Sequence, residues 1–248
     1  MTDRLRLDAL LVARGLFPTR SRARDAIARG HVQIAGRTIG KAGLLVPGDV
    51  EIAVDDPAKA YVSRGALKLI AGLDHFRLDP KGTLALDIGA STGGFTEVLL
   101  KRGARRVVAV DVGHGQMAPQ LAGDPRVVLK EGVNARDLAL DLIGGERPDF
   151  LVADVSFISL TVVLPPALTI AASRAHGLFL VKPQFELGRE AIGKRGRLRD
   201  SAAAEKAAGD IAQWLQGREG WRVLGICPSP IAGGEGNREF LLGARRGF

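Results

Sequence analysis

The stretch that decides the fold is Leu84-Ala-Leu-Asp-Ile-Gly-Ala-Ser-Thr-Gly-Gly-Phe95. A short apolar run ends in an acidic residue, breaks at Gly89 and resumes as an apolar helix after Gly93-Gly94. This pattern predicts a buried strand, a tight glycine turn and a helix N-terminus, the place where an open α/β sheet binds its ligand. A second apolar run, Val107-Val-Ala-Val110, closes with Asp111, 22 positions after Gly89. An acidic side chain about 20 residues past the glycine turn is placed to bind ribose hydroxyls, which points to a nucleoside compound. A dinucleotide fingerprint would put glycines at 89, 91 and 94, but position 91 is Ser and the glycines are 89, 93 and 94. The turn therefore suits a nucleoside without phosphates, such as S-adenosylmethionine, better than NAD. Taken alone it leaves a merely structural turn open.

Outward from that stretch, apolar runs at 84–88, 106–111, 126–129, 149–153 and 177–181 alternate with helical patterns at about 94–102, 115–121, 135–142, 159–171 and 201–217. Short strands alternating with helices predict a parallel, doubly wound sheet. The tail breaks the alternation, because Trp221–Cys227 and Glu239–Ala244 have no helix between them and read as an antiparallel pair. Ser63 is expected to cap a helix from Arg64 to about Phe76, with Ala66, Leu69, Ile70 and Leu73 on one face.

The 248 residues suffice for one α/β core plus a small module, with 46% of them apolar. No apolar run approaches a membrane span and no signal-peptide pattern opens the sequence. The single cysteine, Cys227, excludes an internal disulfide and a cysteine-based metal cluster, and four scattered histidines add no metal site, so a reducing cytoplasmic setting is expected. The formal charge of +8 is uneven: residues 1–48 hold nine Arg or Lys against three Asp, while the remaining 200 hold 26 against 24 acids. A basic head on a nearly neutral body is the footprint of a polyanion partner, with a solvated surface as the plainer alternative.

Within the head, Leu5 to Arg14 reads as a helix closed by Gly15, and Thr19 or Ser21 caps a second helix, Arg20 to Arg29, closed by Gly30. Strands follow at His31–Ile34 and Val50–Val54, and Asp55-Asp56-Pro57 reads as a linker. The pattern Ser21-Arg22-x-x-Ala-x-x-x-Ile, Arg29-Gly30-x-Val-x-Ile, Gly36 and Pro47-Gly48-Asp49 resembles the S-four-type RNA-binding domain of a small-subunit ribosomal protein. That resemblance covers roughly residues 4–55 and implies an arginine-bearing helix presented to structured RNA.

In a parallel sheet ligands lie at the carboxyl ends of the strands. Asp154 ends the fourth strand and Lys182 the fifth, while Glu239 begins the last strand, which runs the other way and so starts at the same edge. Three charged residues beside a nucleoside turn predict a site. A partly desolvated ammonium near other charges can act as a base, with a hydroxyl as its natural substrate. The glycine turn would hold a methyl donor at fixed distance from that oxygen.

Residues 60–248 resemble the FtsJ-like ribose methyltransferases, and the whole chain is similar to the TlyA family of ribosomal RNA 2′-O-methyltransferases, often labelled haemolysins. The matching motifs are Tyr61-Val-Ser-Arg-Gly-Ala-Leu-Lys68, Asp87-Ile-Gly-Ala-Ser-Thr-Gly-Gly-Phe-Thr96, Asp111-Val-Gly-His-Gly-Gln116, Asp154-Val-Ser-Phe-Ile-Ser-Leu160, Lys182-Pro-Gln-Phe-Glu186 and Gly236-Asn-Arg-Glu-Phe240. The resemblance implies a class I Rossmann-like S-adenosylmethionine-dependent fold, α/β with a mostly parallel seven-stranded sheet and an antiparallel last strand, behind a small α+β RNA-binding domain. The expected domains are 1–58 and 59–248, with 59–63 as linker.

By the same resemblance the catalytic set is Lys68, Asp154, Lys182 and Glu239. Lys182 would deprotonate a ribose 2′-hydroxyl, Asp154 and Lys68 would orient it, and Glu239 would help position the ribose. The donor would be held by Asp87, Gly89, Ser91, Thr92, Gly93, Gly94, Phe95, Asp111, Val112, Asn134 and Asp154. RNA contacts would come from Arg4, Arg6, Arg20, Arg22, Arg24, Arg29 and Lys41 in the head, and from Arg189, Lys194, Arg195 and Arg197 in the basic loop after Lys182. The implied partner is ribosomal RNA within ribosomal subunits, with cytidine as the implied target nucleoside and no membrane, no metal and no stable protein partner. A non-catalytic RNA-binding assembly factor, a membrane-lytic protein and a nicotinamide oxidoreductase are the competing readings. The first is opposed by the intact set, the second by the absence of a long apolar or basic amphipathic run, and the third by Ser91.

Overall fold

The computed structural model describes residues 4–193, 196–234 and 236–247, without the side chains of Arg189 and Ser201. The chain divides into two compact units, Met1–Ala60 and Tyr61–Phe248.

The first unit runs β1 (Arg4–Arg6), α1 (Leu7–Ala13), α2 (Arg20–Ala28), β2 (Val32–Ile34), β3 (Arg37–Thr38), β4 (Leu45–Pro47) and β5 (Ile52–Val54). β1 pairs antiparallel with β4, and β3, β2 and β5 form a second antiparallel sheet in that order. Leu7, Leu11 and Ile27 are fully buried at the centre of its core. The helix expected from Leu5 starts at Leu7, because Arg4–Arg6 are extended and paired to residues 45–47. Thr19 caps α2 by accepting from the Arg22 N–H at 3.3 Å. The expected linker Asp55-Asp56-Pro57 is instead part of this unit. The Asp55 N–H bonds the His31 carbonyl, and Asp56 accepts both ends of the Arg29 guanidinium at 2.8 and 2.9 Å.

The second unit contains α3 (Gly65–Phe76), β6 (Leu84–Ile88), α4 (Gly94–Lys101), β7 (Arg106–Val110), α5 (Pro119–Ala122), β8 (Val127–Lys130), β9 (Phe150–Ala153), α6 (Leu160–Ile170), β10 (Ala175–Val181), α7 (Pro183–Glu186), α8 (Ser201–Gln216), β11 (Trp221–Pro228) and β12 (Phe240–Arg246). Seven strands form one sheet in the order β11-β12-β10-β9-β6-β7-β8, with β12 antiparallel to both neighbours and the four pairings from β10 to β8 parallel. Successive residues of β6 and β9 face opposite cores: Leu84, Leu86, Ile88 and Leu151 join the side covered by α6 and α8, while Ala85, Phe150 and Val152 join the side covered by α3 and α4. Burial on both faces is why these strands read as continuous apolar runs.

Three expectations change here. The segment 115–121 yields only α5, because the left-handed Gly115 keeps the chain in a loop whose N–H bonds Glu131, and Pro119 opens the helix. The segment 135–142 contains two 3-10 turns, Ala135–Asp137 and Asp141–Ile143, separated where Leu138 is extended and drops into the core. Ser63 does not cap α3 through its side chain; Arg64 occupies that position, and the Ser63 carbonyl accepts from Ala66.

One carboxylate organises the basic surface of the first unit. Asp8 is closed off from solvent and receives Arg6 Nε at 3.1 Å, Arg20 Nη2 at 2.9 Å and Arg24 Nε at 3.0 Å, while the three arginines remain about half exposed. The Arg6 hydrogen bond, reinforced by Arg20 and Arg24 against the cost of burial, holds Asp8 well below the ordinary carboxylate range. A depressed folded-state value means that its stabilisation is complete above about pH 4 and is lost as the pH falls toward the folded value. Amide hydrogen exchange in α1 and α2 is therefore expected to lose protection between pH 5 and pH 3, relative to intrinsic rates. Asp8→Asn should show the reduced protection already at pH 5 and little further loss on acidification; wild-type protection in that variant would contradict the assignment.

Candidate active site at the carboxyl edge of the sheet

β6 ends at Ile88, and Gly89 turns the chain with a φ of +81°. A Cβ there would stand 2.5 Å from the carbonyl oxygen of Asp154, so glycine is what lets the end of β6 lie against the end of β9. Gly93, at φ +94°, opens α4 without a side-chain cap. Ser91 adopts φ +47°, uncommon for a residue with a Cβ, and is held there by its partners. Its N–H donates to Asp111 Oδ2 at 2.8 Å and its hydroxyl to Gln116 Oε1 at 3.1 Å. Asp111 Oδ1 accepts from the Gly113 N–H at 2.7 Å, so one carboxylate shapes the loops after both β6 and β7.

The four charged residues expected to act together form two ion pairs. Lys182 Nζ lies 2.6 Å from Asp154 Oδ1 and donates to Ser156 Oγ at 2.8 Å. Lys68, on α3, is paired with Glu239, and both side chains are almost fully buried. The register that sets Phe240 opposite Val181 brings Glu239 to the end of β10, where Lys182 begins the next segment. Removing one partner of a buried ion pair costs about 3–5 kcal/mol, so truncating Lys68 or Glu239 would perturb stability as well as chemistry. Lys182, whose side chain is 11% exposed, faces an open cavity of about 260 Å³ and is the cleaner reporter.

That cavity is walled by Lys68, Asp154, Ser156 and Lys182 on one side and by Gly89, Ser91, Thr92, Gly94 and Phe95 on the other, with Ser63 and Arg64 at its margin. Asp87, Gly93, Asp111, Val112, Asn134 and Glu239 do not line it. Val112 is exposed, and Asn134 uses its side-chain oxygen to accept the Arg136 N–H at 3.0 Å. Three residues of the quoted motifs are structural to the site and were not singled out by the sequence. Ser156 contacts Lys182. Glu186 joins the β9 and β10 loops by accepting from the Ser159 hydroxyl at 2.5 Å and the Leu160 N–H at 3.0 Å. Asn237 is buried and staples the loop after α7, accepting from the Leu198 N–H at 3.0 Å and donating to the Gly196 carbonyl at 2.8 Å. Their signal was that each is a polar residue flanking a charged position in its motif.

The candidate RNA-binding cations differ in how they are engaged. Arg6, Arg20 and Arg24 fan around Asp8, and Lys41 is exposed. Arg4 donates to the Leu45 carbonyl and Arg22 to the Ala58 carbonyl. Arg29 is largely buried between Asp25 and Asp56 and so acts within the unit. In the basic loop Arg197 is exposed, whereas Lys194, Arg195 and the Arg189 side chain lie outside the described residues.

A seven-stranded sheet with one reversed strand and a glycine turn at its carboxyl edge defines the methyltransferase class. The FtsJ-like methyltransferase family model matches residues 61–246, and the S4 domain model matches residues 5–52. The 16S/23S rRNA (cytidine-2′-O)-methyltransferase TlyA of Mycobacterium tuberculosis is 45% identical over 246 residues, covering 99% of this chain and 91% of its own. Hemolysin A of Brachyspira hyodysenteriae is 37% identical over 96% of this chain and 98% of its own. A solved structure described as a hemolysin from Streptococcus thermophilus superposes with a TM-score of 0.76 at 38% identity, covering 99% of this chain and 90% of that one. The chain belongs to the FtsJ-like methyltransferases and, within them, to the TlyA family. Among the described residues no helix is long and apolar enough to cross a membrane.

Asp87 sits beneath the glycine turn, fully buried, with Thr96 Oγ1 donating to its Oδ2 at 2.6 Å and its Oδ1 without a hydrogen-bond partner. Burial, opposed by Thr96 but reinforced by the charges of Asp154 and Asp111, raises its pKa to about 7. For a raised folded-state value the stabilising contribution is complete below about pH 4 and is lost as the pH climbs through 7. The second unit should therefore weaken from pH 5 to pH 8.5. Asp87→Asn, which stays neutral and keeps an acceptor for Thr96, should flatten that decline. Denaturant unfolding followed by the fluorescence of Trp214 and Trp221, both in this unit, makes the measurement. An equally steep decline in the variant would refute the role of Asp87.

Proposed function

We propose that this chain transfers a methyl group from S-adenosylmethionine to the 2′-hydroxyl of a cytidine in ribosomal RNA. The contact that carries the reading is Lys182 Nζ against Asp154 Oδ1, in the wall of the cavity formed with the glycine turn. The turn fits the donor by its chemistry: Ser91 replaces the glycine a pyrophosphate needs, and the acidic Asp111 and Asp154 suit a cationic nucleoside better than a phosphate. Gly89, Ser91, Thr92, Gly94 and Phe95 would hold its methionine end, with Asp111 serving the ribose and Asn134 and Val112 the adenine. When bound, that donor supplies an electrophilic methyl group.

The protein's own residues handle the proton and the alignment. Lys182, as the neutral amine, takes the 2′-hydroxyl proton as the oxygen attacks, and becomes the ammonium that Asp154 stabilises. Lys68, in the cavity wall, and its buried partner Glu239 keep that wall in place and help position the ribose. The S4 unit supplies sequence-independent phosphate affinity through the Arg6, Arg20 and Arg24 fan, and the loop carrying Arg197 adds to it. The target ribose must leave the folded RNA to reach the cavity, so local nucleotide flipping belongs to the reading, as does a cytoplasmic setting among ribosomal subunits. The Mycobacterium tuberculosis relative, named for 16S/23S rRNA cytidine-2′-O-methylation, supports the choice of substrate.

Incubation of purified ribosomal subunits with labelled donor, followed by mapping of 2′-O-methyl groups, tests the proposal. Lys182→Ala should lower transfer by at least about a hundredfold, within the usual contribution of a general base, while donor affinity by calorimetry changes little. Undiminished transfer in that variant would exclude the mechanism. Affinity of the chain for ribosomal RNA should fall linearly with salt on a double-logarithmic plot, and Arg20→Ala with Arg24→Ala should reduce the slope.

A further inference from the structure

Lys182 Nζ lies 2.6 Å from Asp154 Oδ1, an ion pair without hydrogen-bond geometry, and donates a hydrogen bond to Ser156 Oγ at 2.8 Å. Both partners of Lys182 belong to one short segment that is pinned at its two ends. At its start, the Asp154 N–H bonds the Ile88 carbonyl at 2.9 Å. Beyond Ser156, Phe157 takes a left-handed φ of +66° and packs its ring 4.9 Å from that of Phe185. Further along, Ser159 and the Leu160 N–H are gripped by Glu186, on the segment that Lys182 itself begins. A non-glycine residue held in the left-handed region is strained, and persists where the surroundings determine it. The Ser156 hydroxyl is therefore delivered to Lys182 by a segment that Glu186 ties to the lysine's own loop.

A lysine ammonium has three N–H bonds, and the neutral amine has two N–H bonds and one lone pair. Ser156 takes one N–H, while Asp154 Oδ1 faces the nitrogen as a charge only, and all three residues line the cavity. We propose that Ser156 is a positioning residue whose hydroxyl, by accepting one N–H of Lys182, fixes rotation about the Cε–Nζ bond and keeps the lone pair of the neutral amine available to the substrate hydroxyl. Asp154 alone leaves the amine free to rotate about its Cε–Nζ bond and place an N–H, rather than the lone pair, toward the hydroxyl. This inference rests on the methyl-transfer reading and adds to it the residue that orients the base.

Single-turnover and steady-state methyl transfer to purified ribosomal subunits tests it, using the full chain, Ser156→Ala and Ser156→Thr. Ser156→Ala should lower kcat about tenfold, the effect of one hydrogen bond to a charged group, with KM for donor and for RNA within about twofold of the parent. Ser156→Thr, which restores a hydroxyl, should recover most of kcat, and the melting temperatures of all three proteins should agree because Ser156 is exposed. Parental kcat in Ser156→Ala, equal losses in the Ala and Thr variants, or a loss confined to KM would overturn the inference while leaving methyl transfer intact. An unaltered chain that transfers no methyl group to any subunit would overturn the functional reading itself.

Discussion

The close approach of Gly89 to the Asp154 carbonyl is the constraint on which the site depends. Nothing larger than hydrogen fits between the end of β6 and the end of β9, and the bond from Asp154 N–H to the Ile88 carbonyl closes the junction. The glycine turn and the Asp154 carboxylate are thereby fixed against each other by backbone. Backbone contact is stiffer than any pairing of long side chains, because no rotamer freedom has to be frozen to maintain it. From this junction Asp154 reaches Lys182, and β12 brings Glu239 to the same edge by running opposite to its neighbours.

Carboxylates recur as the organisers of cations, and burial decides what each arrangement is worth. Surface ion pairs such as Lys206 with Asp210 contribute about 0–1 kcal/mol. The buried pair of Lys68 and Glu239 is different in kind, since each partner makes the other tolerable in a dry setting. Asp8 stands between these limits: the carboxylate is enclosed, its three arginines are half exposed, and the result is a prearranged positive surface instead of three mutually repelling side chains. Both lysines line the cavity and differ in their partners: Lys68 is locked to a buried carboxylate, whereas Lys182 is paired with the partly exposed Asp154 and hydrogen-bonded to the exposed Ser156.

Where local reading and structure part, the cause is tertiary in each case. Leu5 lies in a helical pattern, yet Arg4–Arg6 gain more from pairing with residues 45–47 than from another half-turn of helix. The acidic Asp55-Asp56-Pro57 has the composition of a linker, but the Arg29 guanidinium 27 positions away from Asp56 makes it part of the first unit. Residues 135–142 carry helical periodicity, while Leu138 and Ile143 reach the core through an extended residue between two short turns. Ser63 has the right type for a cap, and is instead so close to Gly94 that a side chain at 94 would collide with its hydroxyl.

By itself the sequence determined the alternation of strands and helices, the reversed final pair, the glycine turn and the edge on which Asp154, Lys182 and Glu239 gather. These follow from periodicity and from the rule that ligands meet a parallel sheet at its carboxyl ends, both of which are local or topological. Lys68 entered only through resemblance to a family, because its position on α3 gives no clue that it faces Glu239, 171 residues away. Tertiary structure alone decided which charges pair, that Asp87 is sealed beneath the turn instead of lining the cavity, and that Ser156, Glu186 and Asn237 hold the site together. Hydrogen-bond partners depend on distances of a few tenths of an ångström between segments far apart in the chain, and no pattern of residue types along one segment encodes them.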